Sequence, residues 1–160
     1  MKALGLLGMA APLLLAPAAF SQEKNITIGN FKLTIAVDTL GDSAKVIALV
    51  VAPGNRDSVG LRCIENQLSV AVMREGENLT EGEKFEIKFR ADNRAVGERE
   101  GSALDDTVIE IADSVQLLDE MAVAKSATFW VTSPAASYRF TVQFRQVDRV
   151  VAEVKKACGK

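Results

Sequence analysis

The N-terminal segment limits what the rest of the chain can fold into. Lys2 precedes the uncharged, leucine-rich run Ala3–Phe20, which has the composition and length of the hydrophobic part of an export signal. Ala19 and Ser21 stand at the small-residue positions of a signal-peptidase site. We therefore predict that residues 1–21 are a cleaved signal peptide and that the mature protein begins at Gln22.

The alternative is an uncleaved membrane anchor. A transmembrane helix needs about 20 apolar residues without interruption. Pro12 and Pro17 interrupt this run, and no basic cluster follows it. No cysteine lies at the cleavage junction to carry a lipid. We expect a periplasmic or secreted protein with no membrane anchor after cleavage.

The predicted mature chain, residues 22–160, is long enough for a single domain with its own core. Without Lys2 it contains 18 Lys and Arg residues against 21 Asp and Glu residues, a formal charge of −3. Nucleic-acid-binding domains show a basic surplus on one face. The charge balance therefore argues against a nucleic-acid partner.

The chain contains two cysteines, Cys63 and Cys158. An even number of cysteines in an exported protein favours a disulfide. The alternative, two buried free thiols, applies if the export signal is misjudged. The chain has no histidine, so Ser-His-Asp and Cys-His catalysis are excluded, and two bonded cysteines cannot form a zinc or redox site. We predict no cofactor and no metal.

The apolar pattern predicts a mainly antiparallel β domain. Lys84–Arg90 alternates most clearly, and Ala44–Ala52 is a nearly continuous β-branched run typical of a buried strand. Two pairs of runs are separated by hairpin-length breaks. The other segments predicted as strands, and the strands of these two hairpins, are Ile26–Val37, Val59–Glu65, Leu68–Arg74, Leu104–Ile111, Ala127–Thr132 and Tyr138–Phe144. Ala91–Gly101 is charged and is predicted to be irregular.

Two helices complete the predicted α+β fold. Asp113 or Ser114 can cap a short internal helix that runs to about Val123. Its predicted apolar stripe consists of Val115, Leu118 and Met121. Gln146–Ala157 has apolar residues at helical spacing and predicts a C-terminal amphipathic helix. That helix presents Cys158 from its apolar face, while Cys63 faces inward on a strand, so a disulfide between them is physically compatible.

Trp130 is the one residue that the alternation separates from its apolar neighbours. Phe129 and Val131 fit the core face, so Trp130 must share the opposite face with Thr128 and Thr132. The neighbouring strand supplies Arg139, Thr141, Gln143 and Arg145 to that face. An exposed aromatic residue among these side chains would form an interaction surface for a partner or a sugar. The alternative is that one of the two helices covers it.

Two further groups of charged residues have a structural and a functional interpretation. Arg90 and Asp92 lie two residues apart at the end of a strand, which favours a structural ion pair over a ligand contact. Asp105 and Asp106 could be a carboxylate pair for glycoside hydrolysis, but adjacent aspartates in a polar turn point in different directions. We predict no catalytic residue.

Several short motifs occur together in one order: Leu61-Arg62-Cys63 on a strand, Phe89-Arg90-Ala91-Asp92 after an alternating strand, and Lys155–Gly159, which reads KKACG. In the order of these motifs, the segment from Leu33 to Lys160 resembles the VasI/TagO group, exported accessory proteins associated with type VI secretion. The resemblance implies a disulfide between Cys63 and Cys158, a structural role for Arg90 and Asp92, and no catalytic residue.

Three function classes remain after these arguments. The first is a non-enzymatic periplasmic binding or accessory protein with an envelope protein as its partner, for which the resemblance implies a role in type VI secretion. The second is a periplasmic inhibitor, or a ligand- or glycan-binding module of the envelope. The third, an envelope hydrolase, is least favoured because the sequence shows no nucleophile and base and no metal-binding pattern.

Overall fold

The computed structural model describes residues 22–37 and 44–159. The predicted signal peptide, residues 1–21, lies outside these ranges. Within them the chain forms ten β-strands and two α-helices. The strands are β1 (Gln22–Ile28), β2 (Phe31–Val37), β3 (Ala44–Val51), β4 (Asp57–Ile64), β5 (Gln67–Arg74), β6 (Lys84–Ala91), β7 (Gly97–Ala103), β8 (Val108–Ile111), β9 (Ser126–Thr132) and β10 (Ser137–Gln143). The helices are α1 (Ser114–Ala122) and α2 (Val147–Ala157).

The strands form one antiparallel sheet in the order β1-β2-β3-β4-β5-β8-β7-β6-β9-β10. This confirms the predicted class, a mainly antiparallel β fold with two helices. The predicted hairpins β4–β5 and β9–β10 are both present. The β4–β5 turn, Glu65 and Asn66, has positive φ at both residues, as a two-residue turn between twisted strands requires.

The N-terminal strand prediction was wrong in one respect. The segment predicted as a single strand, 26–37, contains a tight turn at Gly29 and Asn30 that divides it into β1 and β2. Gly29 has φ 60°, and a Cβ atom there would lie 1.8 Å from the carbonyl oxygen of Arg145. The turn therefore depends on a glycine and on a contact with the far end of the chain, which local periodicity does not reveal.

The prediction of an irregular segment at 91–101 was wrong in part. Its C-terminal part belongs to β7, which pairs with β6 on one side and β8 on the other. One inward position of β7, Gly101, has no room for a side chain. A Cβ atom there would lie 2.6 Å from the Cδ1 atom of Ile87 and 2.8 Å from the Cγ2 atom of Ile109.

The two helices pack against the strands of the first half of the sheet. α1 contacts β5, α2 contacts β3 and β4, and the helices contact each other. α2 buries the valines that its spacing predicts: Val147, Val150, Val151 and Val154. In α1 the predicted stripe is correct for Leu118 and Met121, but Val115 is 55% exposed and Leu117 is buried in its place.

The disulfide between Cys63 and Cys158 is confirmed. It joins β4 to the residue that follows α2, with a Cα–Cα distance of 5.7 Å, and both cysteines are buried. The C-terminal helix is therefore covalently attached to the sheet.

The sheet curves around one hydrophobic core, so that strands far apart in the sheet order meet. Phe31 of β2 stacks on Phe144, just after β10, with ring centroids 5.8 Å apart. The guanidinium of Arg74, at the end of β5, lies 3.7 Å from the ring centroid of Tyr138 on β10 and also bonds Asp57. The inward side chains of both halves thus belong to a single core.

Candidate functional site

The outer surface of β6, β9 and β10 carries the residues that the sequence singles out, and we call it the Trp130 face. The strand register places Lys88 of β6 and Arg139 of β10 directly opposite Trp130 of β9. Thr128 and Thr132 lie on the same face, two residues before and after the tryptophan. Arg145 follows β10 and is exposed.

Trp130 lies between two arginines. The guanidinium carbon of Arg139 is 5.0 Å from the indole ring centroid, and that of Arg90 is 5.6 Å away. Both distances are within the range of cation–π attraction. Trp130 remains partly exposed, and Arg139 is exposed. The contacts hold a large aromatic side chain in place at the surface.

The three arginines of this face lack acidic partners. Among the residues that the structure describes, Arg90, Arg139 and Arg145 form no ion pair. The Nε atom of Arg90 is buried and has no hydrogen-bond partner. A buried donor without a partner costs free energy.

The two threonines have different environments. Thr128 is buried, and its hydroxyl lies 2.9 Å from that of Thr141 on β10. Thr132 is exposed at the other end of β9. Thr132 is therefore available to a partner, whereas the buried Thr128 contacts Thr141 on the neighbouring strand.

The charge of the surface changes sign across the sheet. The Nζ atom of Lys88 lies 3.0 Å from Oε1 of Glu86 and 3.3 Å from Oε1 of Glu98, so the charge of Lys88 is balanced. The hydrogen bond to Glu86, followed by that to Glu98, raises the pKa of Lys88. Beyond these carboxylates the surface towards β7 is acidic, with Glu100 also exposed. The unbalanced positive charge of this face belongs to Arg90 on β6, Arg139 on β10 and Arg145 just after β10.

Neither helix covers this face. Their main contacts are with β1, β3, β4 and β5, and the buried residues of both helices belong to the core on the inner side of the sheet. The partial exposure of Trp130 agrees with this arrangement. The structure therefore does not support the alternative in which a helix packs on Trp130.

The predicted ion pair between Arg90 and Asp92 does not form. β6 ends at Ala91, and Asp92 turns away in a left-handed conformation with φ 48°, so the two side chains no longer share a face. The Asp92 carboxylate instead accepts hydrogen bonds from the backbone N–H groups of Lys125 and Ser126, at 3.1 and 2.8 Å. These bonds, led by that from Lys125, lower the pKa of Asp92. Asp92 anchors the start of β9, and Arg90 is free to contact Trp130.

The other acidic candidates have structural partners or lie apart. Asp105 accepts hydrogen bonds from the backbone N–H groups of Thr107 and Val108, both at 2.8 Å, and closes the turn before β8. The bond from Thr107 is the main reason that the pKa of Asp105 is lowered. Asp106 is exposed in the same turn. The described part of the chain contains no group of three or more His, Cys, Asp or Glu residues that could hold a metal ion.

Sequence reasoning missed one residue that shapes the end of the Trp130 face. The side chain of Asn30, in the β1–β2 turn, donates a hydrogen bond to the carbonyl oxygen of Gln143 at 2.7 Å. Its Oδ1 atom accepts one from the N–H of Arg145 at 2.9 Å. Asn30 is 113 and 115 positions from these residues, so no local signal could have indicated the contact.

Comparison of the chain with protein-family models, with curated proteins and with solved structures finds no match. Among the residues described, no helix combines the length and apolar character needed to cross a membrane.

Proposed function

We propose that this chain is a non-enzymatic binding or accessory protein of the bacterial periplasm. The uncharged N-terminal run supports export and removal of residues 1–21, with the mature chain beginning at Gln22. The disulfide supports an oxidising compartment, because such bonds persist mainly outside the cytosol. The resemblance to VasI/TagO proteins supports a role beside the type VI secretion machinery.

The observation that carries the proposal is the environment of Trp130. The indole is partly exposed, and two arginines without acidic partners flank it within the described residues. Tryptophan and arginine are the side chains most often responsible for binding energy at protein interfaces. The Trp130 face is thus the proposed contact surface for an envelope protein.

A protein partner fits this face better than a glycan does. A sugar that stacks on the indole would displace Arg90 or Arg139 from the ring. Removing a cation from an aromatic ring loses about 0.5 to 1 kcal/mol at an exposed site. An inhibitor or glycan-binding module is therefore the second candidate, and the experiment below distinguishes it.

The test is partner capture from an envelope extract with the full chain carrying a C-terminal tag. Three proteins are compared: the wild type, a Trp130→Ala/Arg139→Ala variant, and a matched control, Val115→Ala/Arg149→Ala. The control removes one exposed apolar residue and one arginine on the helices, away from the Trp130 face. We expect the wild type and the control to capture the same envelope protein and the Trp130 variant to lose it.

Each result has a definite meaning. Equal capture by all three proteins would remove the Trp130 face from the proposal. Capture of a soluble glycan alone would favour the second candidate. Absence of any partner for the wild type would contradict the proposed function. Intact-mass analysis of the same preparation checks export, since retention of Met1 would contradict cleavage before Gln22.

A further inference from the structure

β10 is an edge strand on the Trp130 face. It is the last strand of the sheet, and within the described part of the chain it pairs only with β9. An unpaired edge offers backbone N–H and C=O groups to any extended chain that approaches it. The structure therefore combines an open edge with a cluster of side chains that has unbalanced charge.

Hydrogen bonds at the end of β10 show which backbone groups face the open side. The N–H of Phe144 bonds the carbonyl oxygen of Lys125, so it points towards β9. The carbonyl of Gln143 and the N–H of Arg145 point the other way, to the Asn30 side chain. Because these directions alternate along a strand, the backbone groups of Arg139 and Thr141 also face the open side.

Asn30 occupies the C-terminal end of this edge. The part of β10 that has no backbone partner on this side runs from Ser137 to Thr141, and the side chains of Ser137, Arg139 and Thr141 all belong to the Trp130 face. A strand added here would lie about 4.8 Å from β10. Its outward side chains would stand beside Arg139, and its inward ones beside Tyr138 and Phe140 at the rim of the core.

On the outer face of this edge, the charge favours an acidic segment. From Ser133 to Val147 the only charged residues are Arg139 and Arg145. A carboxylate on the added strand could bond the Arg139 guanidinium, and such charge-assisted bonds are the stronger ones. The opposite edge, β1, has no such preference, because Glu23 and Lys24 balance each other.

We propose, on the basis of the function proposed above, that an extended acidic segment of the partner protein binds as an additional strand along β10. Backbone hydrogen bonds to Arg139 and Thr141 would supply affinity, and carboxylates beside Arg139 would supply specificity. A second copy of this chain is a poor occupant. Pairing of two β10 edges would bring two Arg139 residues, the only charges of the strand, onto one face.

The charge requirement can be tested without the natural partner. The probe is a dye-labelled, end-blocked peptide of six alternating Val and Asp residues, and its match has Lys in place of Asp. We expect the Asp peptide to bind at least about tenfold more tightly than the Lys peptide in fluorescence anisotropy. Arg139→Glu should remove this preference, and Arg149→Glu on α2 should keep it. Equal binding of the two peptides would overturn the proposal.

The backbone requirement is tested at Thr141. Proline is tolerated at edge positions whose N–H faces away from the sheet, so Thr141→Pro removes the free donor. Thr141→Val is the control, since it also loses the hydroxyl contact with Thr128 but keeps the N–H. We expect about a tenfold loss of Asp-peptide binding in Thr141→Pro relative to Thr141→Val. Equal binding by the two variants would contradict strand addition.

Hydrogen exchange gives a second measurement, which needs no variant and so does not depend on whether Thr141→Pro folds. Saturation of the wild type with the Asp peptide should slow amide exchange at Arg139 and Thr141 by at least about tenfold. Unchanged exchange at both amides would overturn the proposal.

These peptide results decide the binding mode, whereas capture from the extract decides the proposed function. A wild type that binds the peptide but captures no envelope protein would refute only the proposed function.

Discussion

Phe129 and Trp130 are adjacent in β9, yet they have opposite environments. Phe129 is fully buried, with the rings of Phe89 and Phe140 centred 5.2 and 5.3 Å away. Trp130 points to the outer surface and contacts the guanidinium groups of Arg90 and Arg139. β9 therefore contributes one face to the core and the other face to a charged surface. Changes on the two faces should therefore separate stability from binding.

The largest expected effect concerns the buried disulfide on the inner side of the sheet. Replacing both Cys63 and Cys158 with Ala removes a link between residues 95 positions apart. By chain entropy such a link stabilises the folded state by about 4 to 5 kcal/mol, less any strain. We expect a loss of a few kcal/mol in urea denaturation.

The same experiment contains its control. Reductant should lower the stability of the wild type to about that of the double variant and should leave the double variant unchanged. If the wild type and the double variant had the same unfolding midpoint, the stability of the fold would not depend on the disulfide.

The second prediction compares the two neighbours directly. Phe129→Ala should destabilise by about 3 to 5 kcal/mol, because it leaves a cavity between two other rings. Trp130→Ala should cost about 1 kcal/mol, because it removes surface contacts with two arginines. Chemical denaturation of both variants measures the difference. If Trp130→Ala were as destabilising as Phe129→Ala, Trp130 would be a core residue and no longer a functional candidate.

The third prediction concerns the contact that ends the open edge of β10. Gly29→Ala should cost about 2 to 4 kcal/mol, because its Cβ would overlap the Arg145 backbone and its φ is positive. Gly76→Ala is the matched control: it also has positive φ, 76°, but nothing lies within 4 Å of the added atom. It should cost only about 1 kcal/mol. Similar unfolding free energies for the two variants would argue against a close contact between the β1–β2 turn and β10.

The smallest expected effect is a pH dependence at Asp92. Hydrogen bonds from Lys125 and Ser126 lower its pKa in the folded state, so the ionised carboxylate stabilises the fold. That contribution is present above the unfolded pKa, about 3.9, and is lost as the pH falls through the lower folded value. Asp92→Asn, which tolerates the left-handed conformation, should lose less stability than the wild type between pH 5 and about pH 2.5. Parallel urea titrations at several pH values compare them, and identical acid dependence would contradict the prediction.

The sequence predicted best where one face of an element is apolar and the other polar. The alternation of Phe85, Ile87 and Phe89 predicted β6, and the spacing of the valines predicted α2. Cys63 and Cys158 could be paired because export, cysteine count and two inward faces agreed. Trp130 was assigned to the outer face from its two apolar neighbours alone.

Prediction failed where local pattern and tertiary environment differ. β7 reads as irregular because Gly101 replaces a core side chain that Ile87 and Ile109 leave no room for. Arg90 was expected to bond Asp92, two residues away, because strand alternation was assumed to continue past Ala91. The backbone turned at Asp92 instead, towards the start of β9.

The sequence by itself determined the β-rich class, the two helices and the side of β9 on which Trp130 lies, and it predicted an export signal. Each of these depends on short-range periodicity or composition. Only the tertiary structure decided that β6 pairs with β9, that Arg90 and Arg139 meet at Trp130, and that Asn30 closes one end of the β10 edge. These features join residues that are distant along the chain. Their geometry is set by strand order and sheet curvature, which local side-chain patterns do not encode.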